Sequence, residues 1–160
     1  MIGQHKEIVF NEYQMAVPFL TCMALVASVY HLPPRVLPSI QAIEGGRVGL
    51  VHTNRDGSSD LGVMQVNTLW VAPIARFTGL PDFNVHDRLL NDPCFNIAAA
   101  GLIMRTYLNE TKGDLMLAVG DYHSHTPVLN LEYQAKVLNA ARVMFTTGPR
   151  QAPSAARHGQ

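Results

Sequence analysis

The chain has no run of about 20 apolar residues, so no helical membrane span is expected. It has no basic run either: 12 basic and 12 acidic residues give a formal charge of zero, and the electrostatic footprint of a nucleic-acid binder is missing. Seven histidines are scattered without metal-ligand spacing; His123-Ser124-His125 would set its imidazoles on different sides of a helix. Neither a metal nor another cofactor is therefore expected. Internal repeats and a two-domain linker are lacking, and only two cysteines occur.

What is present suffices for one core. In 160 residues, 48% are hydrophobic, enough for a single domain of ordinary burial. Residues 1–18 carry Lys6 among Glu7 and Glu12, and the apolar stretch after Met15 is broken by Pro18, Thr21 and Cys22. They read as an N-terminal segment, a remnant or atypical export signal. Phe19, Cys22, Met23, Val26 and Val29 share a helical face and mark a first core helix. From Gly148 the composition loses periodicity, so 148–160 reads as a disordered tail. The folded domain is expected over 19–147.

The informative stretch begins at Glu44. It ends an apolar helical pattern with Leu37 and Ile40 at i−7 and i−4, so its carboxyl should emerge at the border of the core. Gly45 and Gly46 follow, as a helix C-terminus that needs positive φ requires. Asp56-Gly57 is a hairpin signal within 48–66. After it, Gly62-Val63-Met64-Gln65-Val66-Asn67-Thr68-Leu69-Trp70 sets two amides and an indole side by side, groups suited to N-acetylated sugars.

Further helices are expected around Trp70, Ile74 and Phe77; after Asp92-Pro93, where Asp92 reads as N-cap and Pro93 as first residue; from Asp114 to Tyr122; and through Tyr133, Val137, Ala140 and Met144. Residues 82–91 read as loop. Ala98, Ala99, Ala100 and Gly101 mark the helix after Asp92 as the buried central one. The last helix is expected simply to cap the core.

Four ordered pieces carry a resemblance. Ala42-Ile43-Glu44-Gly45-Gly46, Gly62-Val63-Met64-Gln65-Val66-Asn67, Asp92-Pro93-Cys94-Phe95-Asn96-Ile97 and Ala118-Val119-Gly120-Asp121-Tyr122-His123-Ser124 resemble the motifs of soluble lytic transglycosylase domains of the lysozyme superfamily. The likeness covers roughly residues 20–146, and is greatest to the small enzymes of type III and type IV secretion and conjugation systems. It implies a mainly α, lysozyme-like α+β fold: a helical bundle around a central helix with one small β-hairpin. It also implies cleavage of the MurNAc-β-1,4-GlcNAc bond of peptidoglycan to a 1,6-anhydro product, in the periplasm or outside the cell, opening the wall for a secretion or conjugation apparatus.

Carried over residue by residue, the resemblance makes Glu44 the catalytic acid and base. Gly62, Met64, Gln65, Asn67, Trp70, Tyr122 and His123 become glycan-binding residues, and Cys22 and Cys94 disulfide partners. Gly45 stands where the family usually has serine, and His123 where many relatives have asparagine. Asn54 to Gly62 also resembles the hairpin of animal-type lysozymes, with Asp60 where their second carboxylate sits. A retaining muramidase using Glu44 and Asp60 is therefore one alternative; a non-catalytic peptidoglycan-binding component of an envelope machine is another.

Overall fold

A computed structural model of the chain describes residues 18–146; the N-terminal segment before Pro18 and the tail over 148–160 lie outside the described residues. The order of elements is α1 (Leu20–Val29), α2 (Val36–Glu44), β1 (Val51–Thr53), β2 (Ser59–Leu61), β3 (Val66–Asn67), α3 (Val71–Thr78), α4 (Asp82–Asn91), α5 (Pro93–Glu110), α6 (Leu115–His123) and α7 (Pro127–Thr146). The fold is mainly helical with one small antiparallel sheet.

Helix α5 is the axis. The Asp92 carboxylate accepts from the Phe95 amide at 3.0 Å, and Pro93 at the first position has no amide to leave unpaired. Ile97, Ala100 and Met104 are fully buried. At Gly101 a side chain would overlap Val26 and Tyr30, so the absence of a Cβ there is what lets the α1 end approach α5 closely. Cys22 of α1 is joined to Cys94 in the first turn of α5, with Cα atoms 5.5 Å apart and a sequence separation of 72.

In α1 the buried face is Met23, Val26 and Ala27; Phe19 and Val29 do not belong to it, Val29 being 62% exposed. The helix is apolar nearly all round, so periodicity alone could not choose its inner side. Phe77 is likewise 65% exposed, and the inner side of α3 is made by Ile74 and Ala75, with Trp70 half-buried against the core just before it. Residues 82–91, expected as loop, form α4. Its signal was thin because only Val85 and Leu89 carry it, one turn apart and both fully buried, among polar residues of modest helix propensity.

The hairpin forms around Asp56-Gly57. Asp56 Oδ1 accepts from the Ser58 amide at 2.9 Å and from its hydroxyl at 2.7 Å, and Gly57 takes a φ of 86°. A third short strand extends the sheet: β1 pairs β2 with His52 opposite Asp60, and β2 pairs β3 with Asp60 opposite Asn67.

One side chain fastens this sheet to the bundle. Asn96, buried on α5, accepts from the Met64 amide at 2.7 Å and donates to the carbonyls of Leu61 (2.8 Å) and Leu89 (2.7 Å). It thus satisfies three backbone groups from β2, the following loop and α4, which would otherwise be buried unpaired. Gly46 and Gly62 complete the junction. A Cβ at Gly46 would overlap the Gly62 and Val63 carbonyls, and one at Gly62 would overlap the Leu89 carbonyl and the Asn96 amide.

The Cys22–Cys94 bridge closes a long loop, worth about 4 kcal/mol when chain entropy alone is counted. Replacing both cysteines by alanine should lower the unfolding free energy by about 2 to 5 kcal/mol in non-reducing urea titrations. An unchanged midpoint would show that the bridge contributes nothing to stability.

Candidate active site

Glu44 is the last residue of α2, directly after a turn whose Leu37 and Ile40 are fully buried. Gly45 ends the helix in the left-handed region at φ 60°, its amide returning to the Gln41 carbonyl at 2.9 Å. The side chain leaves the core edge and meets α7, where the Tyr133 hydroxyl donates to Glu44 Oε1. Burial raises the Glu44 pKa from 4.5 to about 7; the Tyr133 hydrogen bond opposes this rise and the charge of Asp60 adds to it. Burial, together with the carboxylate, pushes the Tyr133 phenol far above its ordinary range. The His123 imidazole stacks on the Tyr133 ring, 4.9 Å between centroids and 7° from parallel.

Helix α7 therefore does more than cap the core. Tyr133 lies on the apolar stripe with Val137, both buried, and read in sequence as packing. The overlooked signal is chemical: a buried phenol needs a hydrogen-bond partner.

Glu44 opens into a cavity of about 370 Å³, within the range of small-ligand clefts. Asp60, Gln65, Asn67, Trp70, Tyr122 and His123 line it as well, so these candidate residues, 79 positions apart at the extremes, share one space. The hairpin supplies one wall. Asp60 Oδ2 accepts from Asn54 Nδ2 at 3.0 Å and Oδ1 from Asn67 Nδ2 at 2.8 Å, while both amides also reach Ser58 Oγ. The Asn67 carbonyl oxygen caps the following turn at the Leu69 amide, 2.9 Å away. Asn67 is thus spent on holding Asp60 and the loop.

Aromatic rings supply another part of the lining. Trp70 meets Tyr107 edge to face at 5.8 Å, and Tyr107 meets His125 in the same manner at 5.1 Å. Tyr122 extends from α6 and donates its hydroxyl to the Met64 carbonyl at 3.0 Å, in surroundings whose desolvation raises its pKa. Gln65 sits at φ 49°, an uncommon conformation for a residue with a side chain, and its amide turns back to the Gly62 carbonyl at 2.8 Å.

Two candidates fall elsewhere. Met64 is fully buried, and serves the site through its backbone: its carbonyl receives Tyr122 and its amide is held by Asn96. Gly62 lies against Leu89 and Asn96, so its lack of a side chain serves helix-to-hairpin packing rather than approach of a glycan. Conversely Asn54, Ser58, Tyr107, Asp121, His125 and Tyr133 belong to the site or touch it without having stood out in sequence.

No family model matches the chain. Among curated proteins, the chain is similar to "Invasion protein IagB" of Salmonella typhimurium, in two strains, and of Salmonella typhi: 27% identity over 106 residues, 66% of this chain and 62% of the relative. The chain thus matches over less than two thirds of the length of these relatives. Among the described residues no helix is long and apolar enough to cross a membrane.

The raised pKa makes the stability of the fold depend on pH. Glu44 holds its proton up to about pH 7 when folded but releases it near 4.5 when unfolded, so its protonated form stabilises the fold below 4.5 and this contribution is lost as pH rises to 7. Glu44→Gln has no such loss. Relative to wild type it should gain on the order of 3 kcal/mol between pH 4 and pH 8, read by urea unfolding at each pH. A difference that does not change with pH would mean that the carboxyl is not desolvated.

Proposed function

We propose that the chain is a peptidoglycan-cleaving lytic transglycosylase with Glu44 as its single acid and base. The observation that carries this reading is the buried carboxyl of Glu44, with a pKa of about 7, opening into a cavity that combines amide and carboxylate groups with aromatic rings. A carboxylic acid tuned to that range donates and retrieves a proton near neutral pH, and aromatic faces with polar side chains suit the alternating apolar and hydroxylated surfaces of amino sugars.

In this reading a strand of alternating N-acetylglucosamine and N-acetylmuramic acid lies across the cavity. Protonated Glu44 gives its proton to the glycosidic oxygen as the bond from the muramic C1 breaks, and N-acetylglucosamine departs with the new hydroxyl. The carboxylate then takes the proton of the muramic C6 hydroxyl while that oxygen bonds to C1, closing the 1,6-anhydro ring. The proton returns to Glu44 and no water is consumed. Tyr133 holds Oε1 through both steps, and its hydrogen bond favours the carboxylate needed in the second. Tyr122 and Gln65 shape the cavity floor, and Trp70 offers a ring to the sugar.

In this reading the enzyme opens the wall for a secretion or conjugation apparatus; the Salmonella relatives are named for invasion. The Cys22–Cys94 bridge supports an oxidising compartment, the periplasm or the outside of the cell. The domain that does this work is residues 19–147, between the N-terminal segment and the tail.

A second reading, retaining hydrolysis, has its own observation: Asp60 faces the same cavity and its charge acts on Glu44. Against it, each Asp60 oxygen is engaged by an asparagine amide, the posture of a group that braces the hairpin.

Digestion of purified sacculi followed by mass analysis decides between them. Wild-type protein should release muropeptides with 1,6-anhydro ends, and Glu44→Gln should lose about two to four orders of magnitude of turnover. Folded Asp60→Asn should keep much of its activity. Reducing ends, with Asp60→Asn inactive, would establish the hydrolase; cleavage by Glu44→Gln at the wild-type rate would overturn the assignment of the acid.

A further inference from the structure

Helix α7 has two faces with the same period. The inner one, Asn130, Tyr133 and Val137 followed by half-buried Ala140 and Met144, packs on the domain. On the opposite side Val128, Leu131, Ala135, Leu138, Arg142 and Phe145 follow one another at spacings of 3, 4, 3, 4 and 3, and all are exposed, Val128 and Leu131 each at 64%. This is a heptad seam almost three repeats long, the pattern that packs knobs into holes against another helix. A solvated helix face has no reason to keep it.

We infer that the chain self-associates through this outer face of α7, as an antiparallel helix pair related by a two-fold axis. The charges choose the orientation. Arg142 is the only charged residue in the seam, and Glu132 flanks it at the other end; among the described residues neither has an ion-pair partner. In a parallel pair in register, Arg142 would face Arg142 of the second copy, a like-charge contact within an apolar seam. Turned antiparallel about a centre between Lys136 and Val137, Arg142 of one copy lies opposite Leu131 of the other, one residue from its Glu132.

The same axis sets Ala135 against Leu138 and Val128 against Phe145, so small residues meet large ones at both ends and in the middle. The Phe145 ring is already fixed beneath the Arg35 guanidinium, 5.1 Å from its centroid, which leaves it ordered at the rim. Because each contact occurs twice, the patch is self-complementary and the assembly closes at two copies. The pairing leaves the inner face, with Tyr133 and the cavity, untouched, and is independent of the chemistry assigned to Glu44.

Sedimentation equilibrium of the full chain, over about 1 to 100 μM, should show conversion from one to two chain masses. Leu131→Glu/Leu138→Glu, both on the exposed face, should keep the circular dichroism of the wild type and sediment as a single chain. Glu132→Arg and Arg142→Glu should each weaken the dimer about two- to fivefold, and the double reversal should restore it. A wild-type chain that stays monomeric throughout this range, as it would if another protein's helix were the partner of the seam, overturns the inference. So does a dimer that survives the two leucine substitutions; a double reversal that restores nothing overturns the antiparallel pairing.

Discussion

The contact between Glu44 and Tyr133 is the interaction around which the domain is assembled. A carboxyl at the end of a buried turn is costly when ionised, and what surrounds it settles how often it is. Burial drives the proton on, Asp60 reinforces this, and the Tyr133 phenol pulls the other way. A pKa of about 7 is the resultant. Each contribution comes from a different part of the chain: α2 presents the acid, α7 the phenol and β2 the neighbouring charge.

Holding α2, β2 and α7 in this arrangement falls to residues elsewhere in the fold. Asn96 fixes the sheet and the loop after it to α5 and α4. Gly46 and Gly62 let the end of α2 and the loop meet backbone to backbone, where any larger residue would push the hairpin off. On the other flank Asn130 donates to the Asp121 carboxylate at 2.8 Å and to the Leu117 carbonyl at 3.3 Å, and the bare Gly120 allows α7 to lie close on α6. Both flanks rest on the same device, an asparagine buried beside a glycine.

How much of this could be read in the amino-acid sequence depended on whether a residue's role was local. Caps and turns were legible because their chemistry sits within a few positions: Asp92 before Pro93, Asp114 at the start of α6, Asp56-Gly57 in the hairpin, Gly45 after Glu44. Glu44 itself was legible from the apolar turn before it and the glycines behind. Tyr133 was not, since its partner lies 89 residues away and its spacing is that of any core residue. Helix α4 was hidden because only Val85 and Leu89 turn fully into the core, among mostly polar neighbours. Met64 and Gly62 sit inside a stretch rich in polar groups, and only tertiary packing shows that they face the bundle instead of the cavity.

Catalysis as proposed rests on a proton that Glu44 carries near neutral pH under the restraint of Tyr133. Its most direct test is the pH profile of kcat/KM for glycan cleavage, measured for wild type and Tyr133→Phe. If protonated Glu44 starts the reaction, the wild-type rate falls as pH rises through about 7. Removing the phenol deletes the hydrogen bond that favours the carboxylate, so in Tyr133→Phe this descending limb should move to higher pH. A limb that stays in place when the phenol is removed, or a rate that is level across neutral pH, would contradict the account.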